Sequence, residues 1–517
     1  MTRLGAMESL AFDLNGPGHL ARRPPRRTTP ATRVEPELLP RRFVVASNRL
    51  PYRIEVENQH VRVERGMGGL VTAMDPVLQL TGGLWLGWSG SHAPVPAGIE
   101  IERPRKQGDK QGKESGSYEL RPLELSEEDV SRFYLGYCNR AIWPLFHYFQ
   151  EHCRYDEADW AAYVRVNRSF ADRIVADYRA GDFIWIHDYH LMLVPALVRE
   201  RIPDASIGFF LHIPFPAPEL FQIDPHAPEI LEGLLGADLL GFHVPSYARN
   251  FVRTVAEMKR VPCSVEEGWV LCGERKVRTG SFPISIDVER FAAMARRDGI
   301  EDEVRAIRED YRASVIAIGV DRLDYTKGIL ERLKAIEIML ERHPDMRGQF
   351  TFIQISAPSR TKVEAYREQR RQIEQMVGRI NGRFGVRGCL PVDYRYEGHP
   401  QEELVAYYRA ADLALVTPLR DGMNLVAKEY VASRVDGDGC LVLSPFAGAH
   451  RELRDAVVVN PYHPQDMAEG IYRAACLPAL ERRRAMQRMR EVVERNDIYR
   501  WLEKMLRAQR EALADRC

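Results

Sequence analysis

No run of about twenty apolar residues occurs in this 517-residue chain, so no segment has the length to cross a bilayer as a helix. The N-terminus has an apolar patch, but Glu8 and Asp13 interrupt it, and no signal-peptide core follows. A cytoplasmic location is expected. Cysteine is sparse: the eight are Cys138, Cys153, Cys263, Cys272, Cys389, Cys440, Cys476 and Cys517, with no CxxC pair among them. The Cys263/Cys272 spacing is not that of a zinc site, and no second pair completes it. Free thiols in a reducing compartment follow. Net charge is also missing, with 73 Lys plus Arg against 73 Asp plus Glu. Nucleic-acid binders usually carry a basic excess, so that class is disfavoured. Neither GxGxxG nor a Walker A sequence is present. HDYH at 187–190 has a ligand-like spacing but no partners elsewhere, so no metal site is expected.

What is present is an ordinary globular composition, 45% hydrophobic and 28% charged, in a chain long enough for several domains. Residues 1–40 are crowded with Pro and Arg and read as a disordered extension. Short apolar runs then alternate with amphipathic stretches. FVVAS at 43–47, FIWIH at 183–187 and SIGFFLHI at 206–213 read as buried strands, with helical patterns between and after them. A second series opens after PISID at 283–287, with SVIAIGV at 314–320, QFTFIQIS at 349–356, DLALVT at 412–417 and CLVLS at 440–444. Ile329, Leu333, Ile336 and Leu340 make one helix face, and Ile498, Trp501, Leu502, Met505 and Leu506 make another near the end. Residues 91–125 are charged and patternless, and read as a surface insertion or hairpin tip. The prediction is an α/β protein of two Rossmann-like domains facing each other across a cleft. Its parts are residues 41–286, residues 287–480, and C-terminal helices over 481–517 that pack back across both.

Polar residues cluster at the ends of the expected strands, where such folds bind ligands. Arg49 follows FVVAS, His187 and Asp188 follow FIWI, and His212 ends IGFFL. Arg322 and Lys327 lie in VDRLDYTKG, Arg360 beyond FIQIS, and Asp421 beyond DLALVT. Each alone suits a cap or a solvated group; together they point to one cleft. Arg49, Arg322, Lys327 and Arg360 suit phosphate oxygens. Gly66, Gly68 and Gly69 permit close approach of backbone to phosphate, or mark a loop with unusual dihedrals. Asp421 and Glu429 in DGMNLVAKE suit sugar hydroxyls, the first on a loop and the second in a helix. Tyr134, Trp143, Trp85 and Trp88 can stack on sugar rings, although core packing is the simpler role for Trp85.

The segments VVASNRL, GGLWLGWSG, WIHDYHL, GFFLHIPFP, VDRLDYTKG, RINGRFG and TPLRDGMNLVAKEY, in this order over roughly 42–505, resemble the trehalose-6-phosphate synthase family. These are retaining glycosyltransferases of GT-B fold, family 20. The resemblance implies transfer of glucose from a nucleotide donor, UDP-glucose by family default, to glucose 6-phosphate. It implies that Arg49, Trp88, Tyr134, Trp143, Asp188 and Arg360 serve the acceptor. Gly68, Gly69, His212, Arg322, Lys327 and Asp421 would serve the donor, with Gly422, Met423, Asn424, Leu425 and Val426 beside them and Glu429 on the ribose. Arg322, Lys327, Asp421, His212 and Asp188 form the implied catalytic set. A nucleotide sugar is the implied co-substrate, with no prosthetic group and no dedicated metal site, in a homo-oligomer. PVDYRYEGHPQEEL at 391–404 departs from the family pattern, as do the 91–125 region and the N-terminal extension. A synthase using glycerol 3-phosphate as acceptor, and an inactive regulatory homologue, stay open as alternatives.

Overall fold

The computed structural model describes residues 34–57, 60–65, 69–91, 118–360 and 363–516. Two sheets organise it. The larger has nine strands. In spatial order its parallel part runs Tyr118–Leu123, Gly83–Trp88, Arg42–Arg49, Asp182–His187, Ser206–Phe210, Leu239–Phe242 and Arg275–Ser281. Trp269–Cys272 and Cys263–Ser264 extend it in antiparallel fashion. The smaller sheet has six parallel strands, ordered Val392–Arg395, Phe350–Ala357, Val315–Arg322, Leu413–Val416, Cys440–Leu443 and Val457–Val458. The central strands are apolar because helices cover both of their faces. Val44, Val45 and Ala46 are fully buried, as are Ile184, Trp185 and Ile186.

Several helices begin at a side-chain cap, whereas others have none. Asp156 accepts from the amides of Ala158 and Asp159 at 2.9 and 3.1 Å and starts the helix Glu157–Asp177. Ile329, Leu333, Ile336 and Leu340 lie buried along the helix Ile329–Arg342, as the periodicity predicts. Asp287 accepts from the Arg290 amide at 3.2 Å and opens Val288–Met294, the first helix after the link between the sheets.

The C-terminal helices divide between the two bodies. Ala479–Arg495 lies on the second, where Arg490 donates to the carbonyls of Val431 and Ala432 at 3.2 and 3.0 Å. Ile498–Ala514 returns to the first sheet. There Trp501 stacks on Trp185 with centroids 5.1 Å apart, and Gln509 donates to the Ser206 hydroxyl at 3.1 Å.

Two expectations need correction. Residues 1–33 of the Pro/Arg-rich extension lie outside the described residues, but its end is ordered. Pro36–Leu38 forms a 3-10 turn, and Val34 and Leu38 are buried in the same apolar cluster as Trp501. Val34 and Leu38, with the partly buried Leu39 beside them, anchor this end of the segment. The 91–125 region is not simply a surface tip either. Residues 92–117 lie outside the described residues, whereas Tyr118–Leu123 is an edge strand parallel to Gly83–Trp88. Pro122 is tolerated there because an edge strand leaves one side of its backbone unpaired. The atypical 391–404 segment supplies an edge of the smaller sheet, the parallel strand Val392–Arg395, and the start of the helix Gln401–Ala410. Its polar residues knit locally, with Tyr311 donating to Asp393 at 2.5 Å and Arg395 donating to the Tyr311 hydroxyl at 2.7 Å.

Candidate active site

The carboxyl ends of both sheets open toward each other, and the polar strand-end residues meet there. Arg49 ends its strand in register with Trp88, and its guanidinium lies 4.8 Å from the Trp88 ring centroid and 5.3 Å from that of Tyr134. Tyr134 projects from Val130–Ile142, a thirteen-residue π-helix. Such wide turns often mark functional sites. The next short helix, Trp143–Phe146, supplies Trp143. Two arginines from the second body reach this ring, Arg360 at 4.0 Å and Arg322 at 5.5 Å from its centroid. One aromatic wall of the first body therefore meets three cations. Their field is visible on Tyr134: burial pushes its hydroxyl up, yet Arg360, Arg49 and Arg322 together hold it below the usual tyrosine range.

Arg360 is itself buried and held from several sides. It donates to Asp324 at 2.8 Å, to the Tyr366 hydroxyl at 2.5 Å and to the Tyr189 hydroxyl at 3.2 Å. Lys327 follows in the same loop as Arg322 and donates to Asp421 at 2.5 Å. Burial raises the Asp421 carboxyl, but Lys327, His147 and Arg322 together keep the group below the usual carboxylate range. Asn424 adds a second donor to Asp421 at 3.0 Å.

The first body contributes a histidine-rich floor. His187 Nδ1 and His212 Nε2 are 3.0 Å apart, and the His212 carbonyl faces His243 Nε2 at 3.1 Å. Burial lowers all three imidazoles, His187 and His243 to about 3 and His212 well below its usual value. They are neutral at physiological pH. Asp188 accepts from the His212 amide at 3.2 Å, and burial lifts its carboxyl to about 6 against the pull of those amide bonds and of Arg322 and Arg360. His190, in the same HDYH segment, stacks on Tyr134 with centroids 5.9 Å apart.

Backbone strain gathers here. Asp188, Arg360 and Asn424 have φ of 75, 46 and 66°, a region non-glycine residues enter at a cost. Gly422 is required by contact rather than dihedral: a Cβ there would stand 2.2 Å from the His212 carbonyl oxygen. The two bodies touch at that point, beside the site.

Not every candidate joins the cluster. Gly66 and Gly68 lie outside the described residues, and Gly69 is described only as the first residue of the helix Gly69–Thr81. Met423 is buried in an apolar core to which residues of both sheets contribute. Leu425 and Val426 open the helix Leu425–Ser433 and pack partly against that core. Glu429 lies further along this helix, where it accepts from the Tyr408 hydroxyl at 3.1 Å and burial raises it to about 7. Trp85 is core, as expected, and donates to the Ser47 hydroxyl at 2.8 Å. Residues passed over in the sequence include Asp324, Tyr366, Tyr189 and His147. Asp324 stood within VDRLDYTKG, and its place between two cations was the available signal. Among the described residues, no group of three or more His, Cys, Asp or Glu is arranged to hold a metal ion, and no helix is long and apolar enough to cross a membrane.

Two parallel-sheet domains facing across a cationic, aromatic-walled cleft define the GT-B class of glycosyltransferases. The model of glycosyltransferase family 20 matches residues 41–511, and the chain belongs to that family. It is 44% identical over 471 residues to the bifunctional trehalose-6-phosphate synthase/phosphatase of Thermoproteus tenax, spanning 89% of this chain and only 62% of that relative's length. It is 43% identical over 482 residues to a trehalose-6-phosphate synthase of a Mycobacterium species, spanning 92% of this chain and 95% of that one. Among solved structures, an alpha,alpha-trehalose-phosphate synthase (UDP-forming) from Burkholderia xenovorans in complex with glucose-6-phosphate superposes with a TM-score of 0.81 at 34% identity. That match covers 91% of this chain and all of the other.

Proposed function

We propose that this protein transfers glucose, with retention, from a nucleotide-glucose donor to glucose 6-phosphate, giving alpha,alpha-trehalose 6-phosphate and a nucleoside diphosphate, with UDP-glucose as the donor. The observation that carries the reading is the convergence of Arg49, Arg322 and Arg360 on the aromatic wall of Trp88, Tyr134 and Trp143, opposite the Lys327–Asp421 pair. Three cations against aromatic faces suit a molecule that is both phosphorylated and a sugar. The names of the relatives supply the UDP-forming chemistry and the glucose 6-phosphate acceptor.

In this reading the bond from the donor anomeric carbon to the diphosphate breaks first, leaving oxocarbenium-like character on the sugar. Arg322 and Lys327 stabilise the charge that grows on the departing diphosphate. Before this, donor binding turns Lys327 from Asp421 toward the phosphate and frees Asp421 for the donor sugar hydroxyls. Asp188 accepts from acceptor hydroxyls, while neutral His212 donates to or accepts from the donor sugar. The acceptor hydroxyl attacks on the face the diphosphate leaves, and a diphosphate oxygen takes its proton. No protein nucleophile enters, unlike hydrolases with paired carboxylates astride the bond. The nucleotide sugar is a co-substrate, and no prosthetic group is needed.

The test is a panel of UDP-, GDP- and ADP-glucose, each with glucose 6-phosphate or glycerol 3-phosphate. Product mass and linkage are read by mass spectrometry and NMR. UDP-glucose with glucose 6-phosphate should be the most rapid pair and yield an alpha,alpha-1,1 product. Faster transfer to glycerol 3-phosphate would assign the other acceptor, and nucleotide binding without release would make the chain a regulatory homologue.

A further inference from the structure

The strand Val315–Arg322 and the helix Ile329–Arg342 are joined by a short loop bearing both Arg322 and Lys327. Asp324 lies between these cations and is fully buried. Its two oxygens have separate tasks. Oδ1 accepts from the Thr326 amide at 3.0 Å and the Thr326 hydroxyl at 2.9 Å. That caps the single 3-10 turn Tyr325–Lys327 and sets the backbone from which Lys327 reaches Asp421. Gly328, at φ 65°, lets the chain pass from this turn directly into the helix. Oδ2 accepts from Arg360 Nη1 at 2.8 Å and from the Tyr366 hydroxyl at 3.2 Å. Arg360 is thereby held with its guanidinium carbon 4.0 Å from the Trp143 ring centroid, on the acceptor side.

We propose that Asp324 is a positioning residue that couples the two halves of the site, one buried carboxylate fixing both the turn that carries Lys327 and the direction of Arg360. This deepens the functional reading above and rests on it. Asp324 touches neither substrate. Its coupling follows from burial: a charge without water cannot release one set of partners without losing their compensation. A nucleoside diphosphate that draws Lys327 and its turn into one arrangement holds Oδ1, and through the rigid carboxylate holds Oδ2 and Arg360. By linkage, a sugar phosphate on Arg360 organises the Lys327 turn by the same factor.

An asparagine at this position matches the shape but not the function. Its amide has one acceptor atom and one donor atom. If the donor faces Arg360, two donors oppose each other there; if it faces Thr326, the conflict falls on the cap. Either way one half is released.

The experiment is calorimetric titration of the full chain with UDP, in the absence and presence of saturating glucose 6-phosphate, and the reverse titration. In the unaltered protein each ligand should tighten the other by about fivefold or more, the usual range for coupled sites. In Asp324→Asn this ratio should fall to about one, with UDP still binding alone. A residue that only supports the fold would weaken both ligands and leave the ratio as it was, and that outcome overturns the proposal. If Asp324→Asn fails to fold, Tyr366→Phe takes its place. It removes one hydroxyl from the carboxylate and from Arg360, and an unchanged ratio in that variant is equally fatal. Unaltered protein that binds neither ligand overturns the functional reading; unaltered protein that binds both without mutual effect overturns the coupling alone.

Discussion

Arg322 and Lys327 are neighbouring cations in one loop, yet they stand in different settings. Arg322 is exposed, and the ring of Trp143 is its aromatic neighbour. Lys327 is buried and ion-paired with Asp421, whose side chain is 14% exposed. Arg322→Ala should lower kcat by about a hundredfold or more, as loss of a preorganised charge does, with no change in the denaturation midpoint. Lys327→Ala should lower kcat comparably and also destabilise the fold by about 3 kcal/mol, because Asp421 keeps a buried charge without its partner. Steady-state rates and urea denaturation of the two variants check this, and equal stability losses would contradict it. The sequence marked both residues as phosphate-binding cations, since residue type and strand-end position are local properties. The distinction between them was not legible, because Asp421 is 94 residues away along the chain. Asp324 had a local signal in its place between two cations, but its bond to Arg360, 36 residues on, was not legible.

Among the elements, the turn after the helix Trp143–Phe146 grips the opposite domain. Tyr148 sits at φ 69°, its hydroxyl accepts from the Ala217 amide at 3.0 Å, and the Arg420 guanidinium lies 3.7 Å from its ring centroid. Phe149 and His152 each meet Tyr325 with centroids 5.1 Å apart. These contacts flank Lys327 and Asp421 and tie the domains shut around them. Tyr148→Ala should loosen closure and admit water, so that glucose released by donor hydrolysis rises severalfold relative to transfer product. Tyr148→Phe keeps the ring over Arg420 but takes the acceptor from the Ala217 amide, so its ratio should fall between those of Tyr148→Ala and the unaltered protein. A hydrolysis-to-transfer ratio that is the same in Tyr148→Ala would remove the turn from any part in closure. The strand Val315–Arg322 was legible as a short continuous apolar run, since helices cover both its faces, and the helix Ile329–Arg342 by the period of its one buried face. The π-helix Val130–Ile142 was not, since its winding leaves no separate repeat in the sequence. The hairpin of Tyr52–Glu57 and His60–Arg65 was passed over although apolar and polar residues alternate along both strands, the pattern of a half-buried hairpin.

The whole molecule is closed by its last helix. Ile498–Ala514 follows the second domain in sequence but completes the first, with Trp501 wedged against Trp185 and Phe210 and donating to the Phe282 carbonyl at 3.2 Å. Trp501→Ala should cost about 3–5 kcal/mol, the usual price of an emptied aromatic site in a core. Urea denaturation followed by fluorescence should show it, and a loss below about 1 kcal/mol would mean that the helix packs loosely on the sheet. The sequence by itself determined the alternation of strand and helix, the two successive α/β units, the apolar stripe of the last helix and the chemical kind of the strand-end residues. Each of these is written within a few consecutive residues as composition or period. Tertiary structure alone decided which sheet the last helix covers, that Arg360 and Arg322 share the ring of Trp143, and that Lys327 answers to Asp421. Such pairings join residues remote in sequence, and they form only when burial of two whole cores brings the ends of both sheets to the same cleft.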